Sequence, residues 1–166
     1  MNYLMSIKNT LYNISLDGRA DNREYIAYKV FEYVFEFINF FFYTLPIVFV
    51  LFAIIASAGE TYLWNNPNTP AQHLFNYTLA ASIVFIPLNI WIRLAGYCVS
   101  VRRLHDINQS GWIYFGLCVI ACTFGIMFNF LIFFAAFIVL AIIKSYEGEN
   151  QYGIKTLNTE DFKTLE

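Results

Sequence analysis

The stretch VSVRRLHDINQSGW, residues 99–112, is the most polar break in the second half of the chain. It sets two arginines, a histidine, an aspartate, a Ser-Gly turn signal and a tryptophan between long apolar runs. Arg102 and Arg103 follow directly on an apolar helix, and basic residues at such a position mark the cytoplasmic end of a membrane crossing. Trp112 restarts the apolar pattern with a ring suited to a membrane–water boundary.

Composition agrees with that reading. Of 166 residues, 58% are hydrophobic and 13% charged, against about 45–50% and about 25% in soluble domains. Aromatic residues reach 20%. A core of this size has no room for so much apolar surface, whereas lipid solvates it. Lysine and arginine are absent from residues 30–92 and again from 104–143. No basic stripe points to nucleic acid. The three cysteines, Cys98, Cys118 and Cys122, sit in apolar surroundings without zinc spacing, and no phosphate loop or dinucleotide fingerprint is present. Neither a metal nor a cofactor is expected.

Reading outward from the central stretch gives an all-α integral membrane bundle of four transmembrane helices, two long and then a hairpin of two shorter ones. Residues 1–22 form a polar N-terminal segment, 23–145 the bundle and 146–166 a cytoplasmic tail. Leu4, Ile7, Leu11 and Ile14 recur at helical spacing, which predicts a short surface helix with those residues as its apolar face. Asp17-Gly18 breaks it, and Asp21 or Asn22 caps the next helix. That helix runs from about Arg23 to Ala58, with Pro46 expected to bend it. Residues 59–73 read as an outer loop carrying Tyr62, Trp64 and two prolines but no Lys or Arg. The second long helix runs from Leu74 to Leu104. Residues 112–143 carry no charge and as one straight helix would overrun a bilayer, so a hairpin of two short helices is preferred to one long bent helix. A break at Gly125–Asn129 makes them a hairpin and returns the tail to the side of the N-terminus. A last short helix is expected after Asn158.

The candidate site is a cytoplasmic cluster of Arg19, Arg23, Glu24, Arg102, Arg103, His105, Asp106, Trp112 and Asn150. Arg102 and Asp106 stand four apart and can pair on a helix. Guanidinium forks match phosphate oxygens, so an anionic lipid headgroup is a sensible ligand. His105 is read as a structural hydrogen-bonding group. Asn150 and Gly153 close the cluster from the tail side. Deeper in, Lys29, Glu32, Glu36, Asn39 and Tyr43 form one helix stripe. Ser82, Asn89, Arg93, Gly96 and Ser100 form another. A lone charge at the inner membrane edge is costly, so Arg93 is expected to pair with Glu36 or Glu32.

Three blocks also carry a family resemblance. They are Gly18-Arg19-Ala20 with Arg23-Glu24-Tyr25, then Arg102-Arg103-Leu104-His105-Asp106 with Ser110-Gly111-Trp112, then Gly148-Glu149-Asn150 with Tyr152-Gly153. Their order resembles the bacterial inner-membrane family called domain of unknown function 805, over about residues 15–155. Ile26, Gln109 and Gln151 stand where that family usually has Trp, Arg and a basic residue. The last apolar segment is longer than usual and lacks the customary Pro. The resemblance implies an inner-membrane location and no activity; a multi-pass topology with both termini cytoplasmic is the expectation from charge placement.

The leading expectation is a non-enzymatic membrane protein that binds anionic headgroups or protein partners, a second copy included, through the cytoplasmic cluster. A transporter would instead use Lys29, Glu32, Glu36 and Arg93 as a polar path. A headgroup enzyme would use His105 and Asp106 as an acid/base pair in one pocket.

Overall fold

The computed structural model describes residues 3–12, 14–56, 70–123 and 125–153. Every regular element among them is helical: α1 (Tyr3–Tyr12), α2 (Asn22–Asn39), a π-helical turn (Phe40–Thr44), α3 (Leu45–Ala56), α4 (Pro70–Asp106), α5 (Trp112–Thr123) and α6 (Gly125–Ile142). Two stretches, Asn22–Phe52 and Gln72–Asp106, are long and apolar enough to cross a membrane. The helices build two compact units, residues 1–32 with 92–166 and residues 33–91.

Local chemistry accounts for most of the boundaries. Asp21 caps α2: its Oδ1 accepts the Glu24 amide at 2.6 Å, which satisfies one of the first-turn donors. Pro46 acts where expected. It has no amide to give the Phe42 carbonyl four residues back, and the chain widens into the π-turn just before it. The Tyr77 hydroxyl donates to that carbonyl at 3.4 Å. α4 starts at Pro70, four residues ahead of the expected Leu74, because proline suits a first helical turn. It also runs two residues past Leu104. Asn108 then takes a left-handed φ of 58°. The Gln109 amide donates to Leu104 O at 2.8 Å and the Asn108 amide to His105 O at 3.0 Å, which is a Schellman stop. The expected interfacial Tyr62 and Trp64 and the helix after Asn158 lie outside the described residues.

Residues 112–142 form a hairpin. The Tyr114 and Phe133 rings lie 5.8 Å apart, whereas one continuous helix would separate them by about 28 Å. The expected break at Gly125–Asn129 is corrected: α5 reaches Thr123 and α6 already begins at Gly125.

In the first unit, Tyr25, Tyr28, Ala95, Val99, Val101, Leu104, Tyr114 and Leu140 make a buried core. α1 packs on it with Ser6 and Thr10 fully inward and Leu11 and Ile14 partly so, while Leu4 stays outside. Of the expected apolar face, Leu4 alone is exposed, and Ser6 and Thr10 are buried more deeply than Ile7, Leu11 or Ile14. Burial follows the small polar residues because Thr10 bonds to Glu24, at 2.8 Å.

The second unit is arranged in the opposite sense to a soluble core. Its polar side chains bond to one another: Asn39 donates to Asn89 at 2.9 Å and the Tyr43 and Ser82 hydroxyls lie 2.9 Å apart. Tyr43 also stacks on Phe85, with ring centroids 5.4 Å apart. Phe42, Phe49, Phe52, Ile83 and Val84 point outward.

The turn between α4 and α5 is tight enough to require glycine at position 111. A Cβ there would stand 2.6 Å from Val101 Cγ1 and 3.2 Å from His105 Nε2. Gly111→Ala is therefore expected to destabilise the protein by about 1–3 kcal/mol, as overpacking does. Thermal unfolding in detergent checks this. Adding Val101→Ala should recover a large part of the loss, and two simply additive losses would contradict the packing account.

Candidate functional site

The last turn of α4 carries the chemistry. Asp106 is fully buried, and so is Arg103. Such a pair is tolerable only if every charge and donor is met. Asp106 Oδ1 accepts from Arg19 Nε at 3.0 Å and lies 2.9 Å from Arg19 Nη2. Its Oδ2 accepts from Arg103 Nη1. One carboxylate thus holds two guanidiniums from segments far apart in sequence.

The remaining arginine donors reach main-chain carbonyls. Arg103 Nε donates to Leu140 O at 3.0 Å, its Nη2 to Ile143 O, and its Nη1 to Ser145 Oγ at 2.9 Å. Leu140 lies in the last turn of α6 and Ile143 directly follows it, where carbonyls lack helical partners and the helix dipole favours a cation. Arg103 is thus a cap supplied by another helix. Arg19 Nη1 donates to Gly148 O at 2.7 Å and Gly153 O at 3.3 Å, and its Nη2 to Tyr146 O at 2.6 Å and Asp106 O at 3.3 Å. Backbone bonds add to the knot: Tyr146 N donates to Asp106 O at 2.9 Å and Ala20 N to Arg102 O at 3.1 Å.

Arg102 turns elsewhere. Its partner is Glu24, at 3.0 Å, and not the Asp106 expected from four-residue spacing. Adjacent helix residues project about 100° apart, so Arg103 takes the Asp106 side and Arg102 the α1–α2 side. Thr10 Oγ1 donates to the same Glu24 oxygen. Arg102 Nε is buried with no hydrogen-bond acceptor.

His105 bonds as a structural group. Its Nδ1 lies 3.3 Å from Gly18 O, and its ring stacks on Tyr152 at 3.8 Å with an interplanar angle of 3°. Asn150 Nδ2 donates to His105 O at 2.8 Å. The Asn150–Gly153 turn closes on itself with backbone bonds of 3.2 and 3.0 Å. Trp112 is 76% exposed, and its ring meets Phe115 edge-on with centroids 5.5 Å apart. Arg23 is also exposed. Among the described residues, no His/Cys/Asp/Glu group could hold a metal ion.

A further ion pair lies in the same unit. Lys29 Nζ donates to Glu32 Oε2 at 2.7 Å and stands 5.9 Å above the Tyr114 ring. The Glu32 carboxylate rests against Gly96, where a Cβ would come within 2.6 Å. Glu32 thus has a local partner that the expectation for Arg93 left out. Thr10 and Ser145 also escaped sequence reasoning, as did the stacking of Tyr152 on His105. Single hydroxyls and a lone ring carry no spacing signal.

Residues 13–154 match the family model described as Protein of unknown function (DUF805). The chain belongs to that family. No curated protein and no solved structure matches it. In this DUF805 chain the three sequence blocks are three sides of one hydrogen-bonded knot. The first supplies Arg19 and Glu24, the second Arg102, Arg103 and Asp106, and the third the carbonyls of Gly148 and Gly153 together with Asn150.

Asp106→Asn leaves two buried guanidiniums sharing a neutral amide. It is expected to cost about 3–5 kcal/mol, the usual loss when a buried pair is broken. The check is thermal unfolding combined with hydrogen exchange. Residues 143–153 should lose protection first. An unchanged melting temperature with unchanged exchange would contradict the role given to Asp106.

Proposed function

We propose that this protein is a multi-pass membrane protein, non-enzymatic, that engages anionic lipid headgroups at its cytoplasmic face. The observation that carries the membrane part is the inversion of polarity in residues 33–91. Polar side chains there bond to each other, while large aromatic and aliphatic side chains face outward. In water such a surface drives association; in hydrocarbon it is the low-energy arrangement.

In this reading α4 and the helix running from α2 to α3 cross the bilayer, and α5 and α6 enter and return as a hairpin, which makes four membrane helices. At about 18 Å, α5 is shorter than a hydrocarbon core of about 30 Å, so the bilayer thins around it. The hydrogen bonds joining Arg19, Asp106 and residues 146–153 support a single side for both termini, and the positive-inside rule makes that side the cytoplasm of a bacterial inner membrane. Arg93, at the inner edge, is neutralised by a carboxylate, Glu32 or Glu36.

The headgroup part rests on Arg102. Arg19 and Arg103 spend their donors on carbonyls, a hydroxyl and Asp106, while Arg102 keeps an unused Nε. A phosphate oxygen is the acceptor its fork matches. Arg23 and Lys8, both exposed, add positive charge to the same unit. The other readings receive less support. The Asn39–Asn89, Tyr43–Ser82 and Lys29–Glu32 pairs close off the stripe that a transporter would leave open. Asp106 has both oxygens bound and is buried, which takes it out of the His105–Asp106 acid/base pair that a headgroup enzyme would use.

Native mass spectrometry of the protein in gentle detergent with phosphatidylglycerol tests the headgroup reading. Wild type should retain the anionic lipid. The double variant Arg102→Gln/Glu24→Gln removes the guanidinium without stranding a carboxylate, and it should lose that lipid while staying monodisperse. Equal retention by the two proteins would overturn the assignment.

A further inference from the structure

We propose that α1 lies in the headgroup layer with Leu4, Met5 and Tyr12 against lipid and Lys8 on the phosphates. This face is turned by about a quarter of a revolution from the one its apolar spacing implies, with Leu4 common to both, and the inference rests on the membrane reading above. The outward arc of α1 is Leu4, Lys8 and Tyr12, stepping by four, with Met5 and Asn9 beside them. Leu4 is 74% and Tyr12 80% exposed. The inward arc is Ser6 and Thr10, with Ile7 and Leu11 half-buried at its edge. A helix that turns serine and threonine inward and leucine and methionine outward has its apolar face toward a solvent that is not water.

Depth follows from one hydrogen-bonded chain. Thr10 donates to Glu24, and Glu24 pairs with Arg102. Glu24 opens α2, and Arg102 stands in the polar end of α4. α1 is thereby tied to the level at which the apolar runs stop. Its ten residues span about 15 Å, too short to cross a bilayer. It therefore lies along the boundary.

Charge selects lipid over a second copy of this chain. Lys8 sits in the middle of the apolar arc. A protein partner covering Leu4 and Tyr12 would bury that ammonium, at high cost unless it supplied a carboxylate. A phospholipid surface takes the methylene stem into the acyl boundary and the ammonium onto phosphate. Tyr3 and Tyr12, one at each end, are rings suited to that layer.

The test uses the full chain in vesicles of phosphatidylethanolamine and phosphatidylglycerol, with Cys98, Cys118 and Cys122 replaced by alanine. Nitroxide labels are placed singly through Leu4→Cys, Tyr12→Cys, Ile83→Cys and Gln109→Cys. Collision with oxygen and with a water-soluble nickel chelate is then measured. Positions 4 and 12 should match Ile83, with oxygen frequent and the chelate excluded, while Gln109 meets the chelate freely. If 4 and 12 meet the chelate as Gln109 does and Ile83 remains shielded, the inference on α1 falls and the membrane reading stands. If Ile83 meets the chelate as well, both fall. Positions 4 and 12 shielded from oxygen and chelate alike would mean a protein partner, which also overturns the assignment to lipid.

Discussion

One carboxylate, that of Asp106, holds Arg19 and Arg103 at once, and the first unit depends on it. A guanidinium removed from water loses several kcal/mol of hydration. It stays charged inside only where a carboxylate and a set of acceptors are already arranged. Here the acceptors are the orphaned carbonyls at the end of α6 and those of the strap that follows. The groups that helix endings and turns leave without partners are the groups the arginines need. Each side satisfies the other, so the first turn, the end of α4 and residues 143–153 have one low-energy register. Buried ion pairs seldom add much net stability over an apolar core; their contribution here is to fix that register.

The same logic runs through the second unit with neutral groups. Amides and hydroxyls on α2, α4 and the π-turn pair with each other, and the apolar atoms are left to face whatever surrounds them. A hydrogen bond between such groups contributes modestly in any solvent, about 0.6 kcal/mol on average in membranes. Leaving them unpaired in hydrocarbon would cost several kcal/mol each. The Asn39–Asn89 and Tyr43–Ser82 pairs therefore specify which helix faces meet in that unit.

The sequence made much of this legible. Periodicity and charge placement located the helices, because an apolar run of this length has few alternatives. The breaks at Asp17-Gly18 and in the 112–143 segment, the cap at Asp21 and the distortion before Pro46 follow from residues with narrow conformational menus. The convergence of the three blocks was expected from their placement and from the family they resemble. Pairing within the cluster was less legible. Four-residue spacing favoured Arg102 with Asp106, but Arg103 and Arg19 claim that carboxylate and Arg102 turns to Glu24. A sequence pattern states which neighbours are available on one helix and says nothing of a partner 87 positions away. α1 misled for a related reason. Its apolar spacing was real, yet the Thr10–Glu24 bond decides which arc faces inward.

The central claim is that Arg19, Arg103, Asp106 and the strap meet on one aqueous side of a membrane. Cysteine accessibility tests it most directly. Asp17→Cys, Gln109→Cys and Glu149→Cys are introduced singly into the chain lacking its native cysteines, at positions that are all exposed. Each is treated with a membrane-impermeant maleimide in vesicles of either orientation. The account predicts that all three react in inside-out vesicles and are protected in right-side-out ones. Reaction of positions 17 and 109 from opposite sides would contradict it.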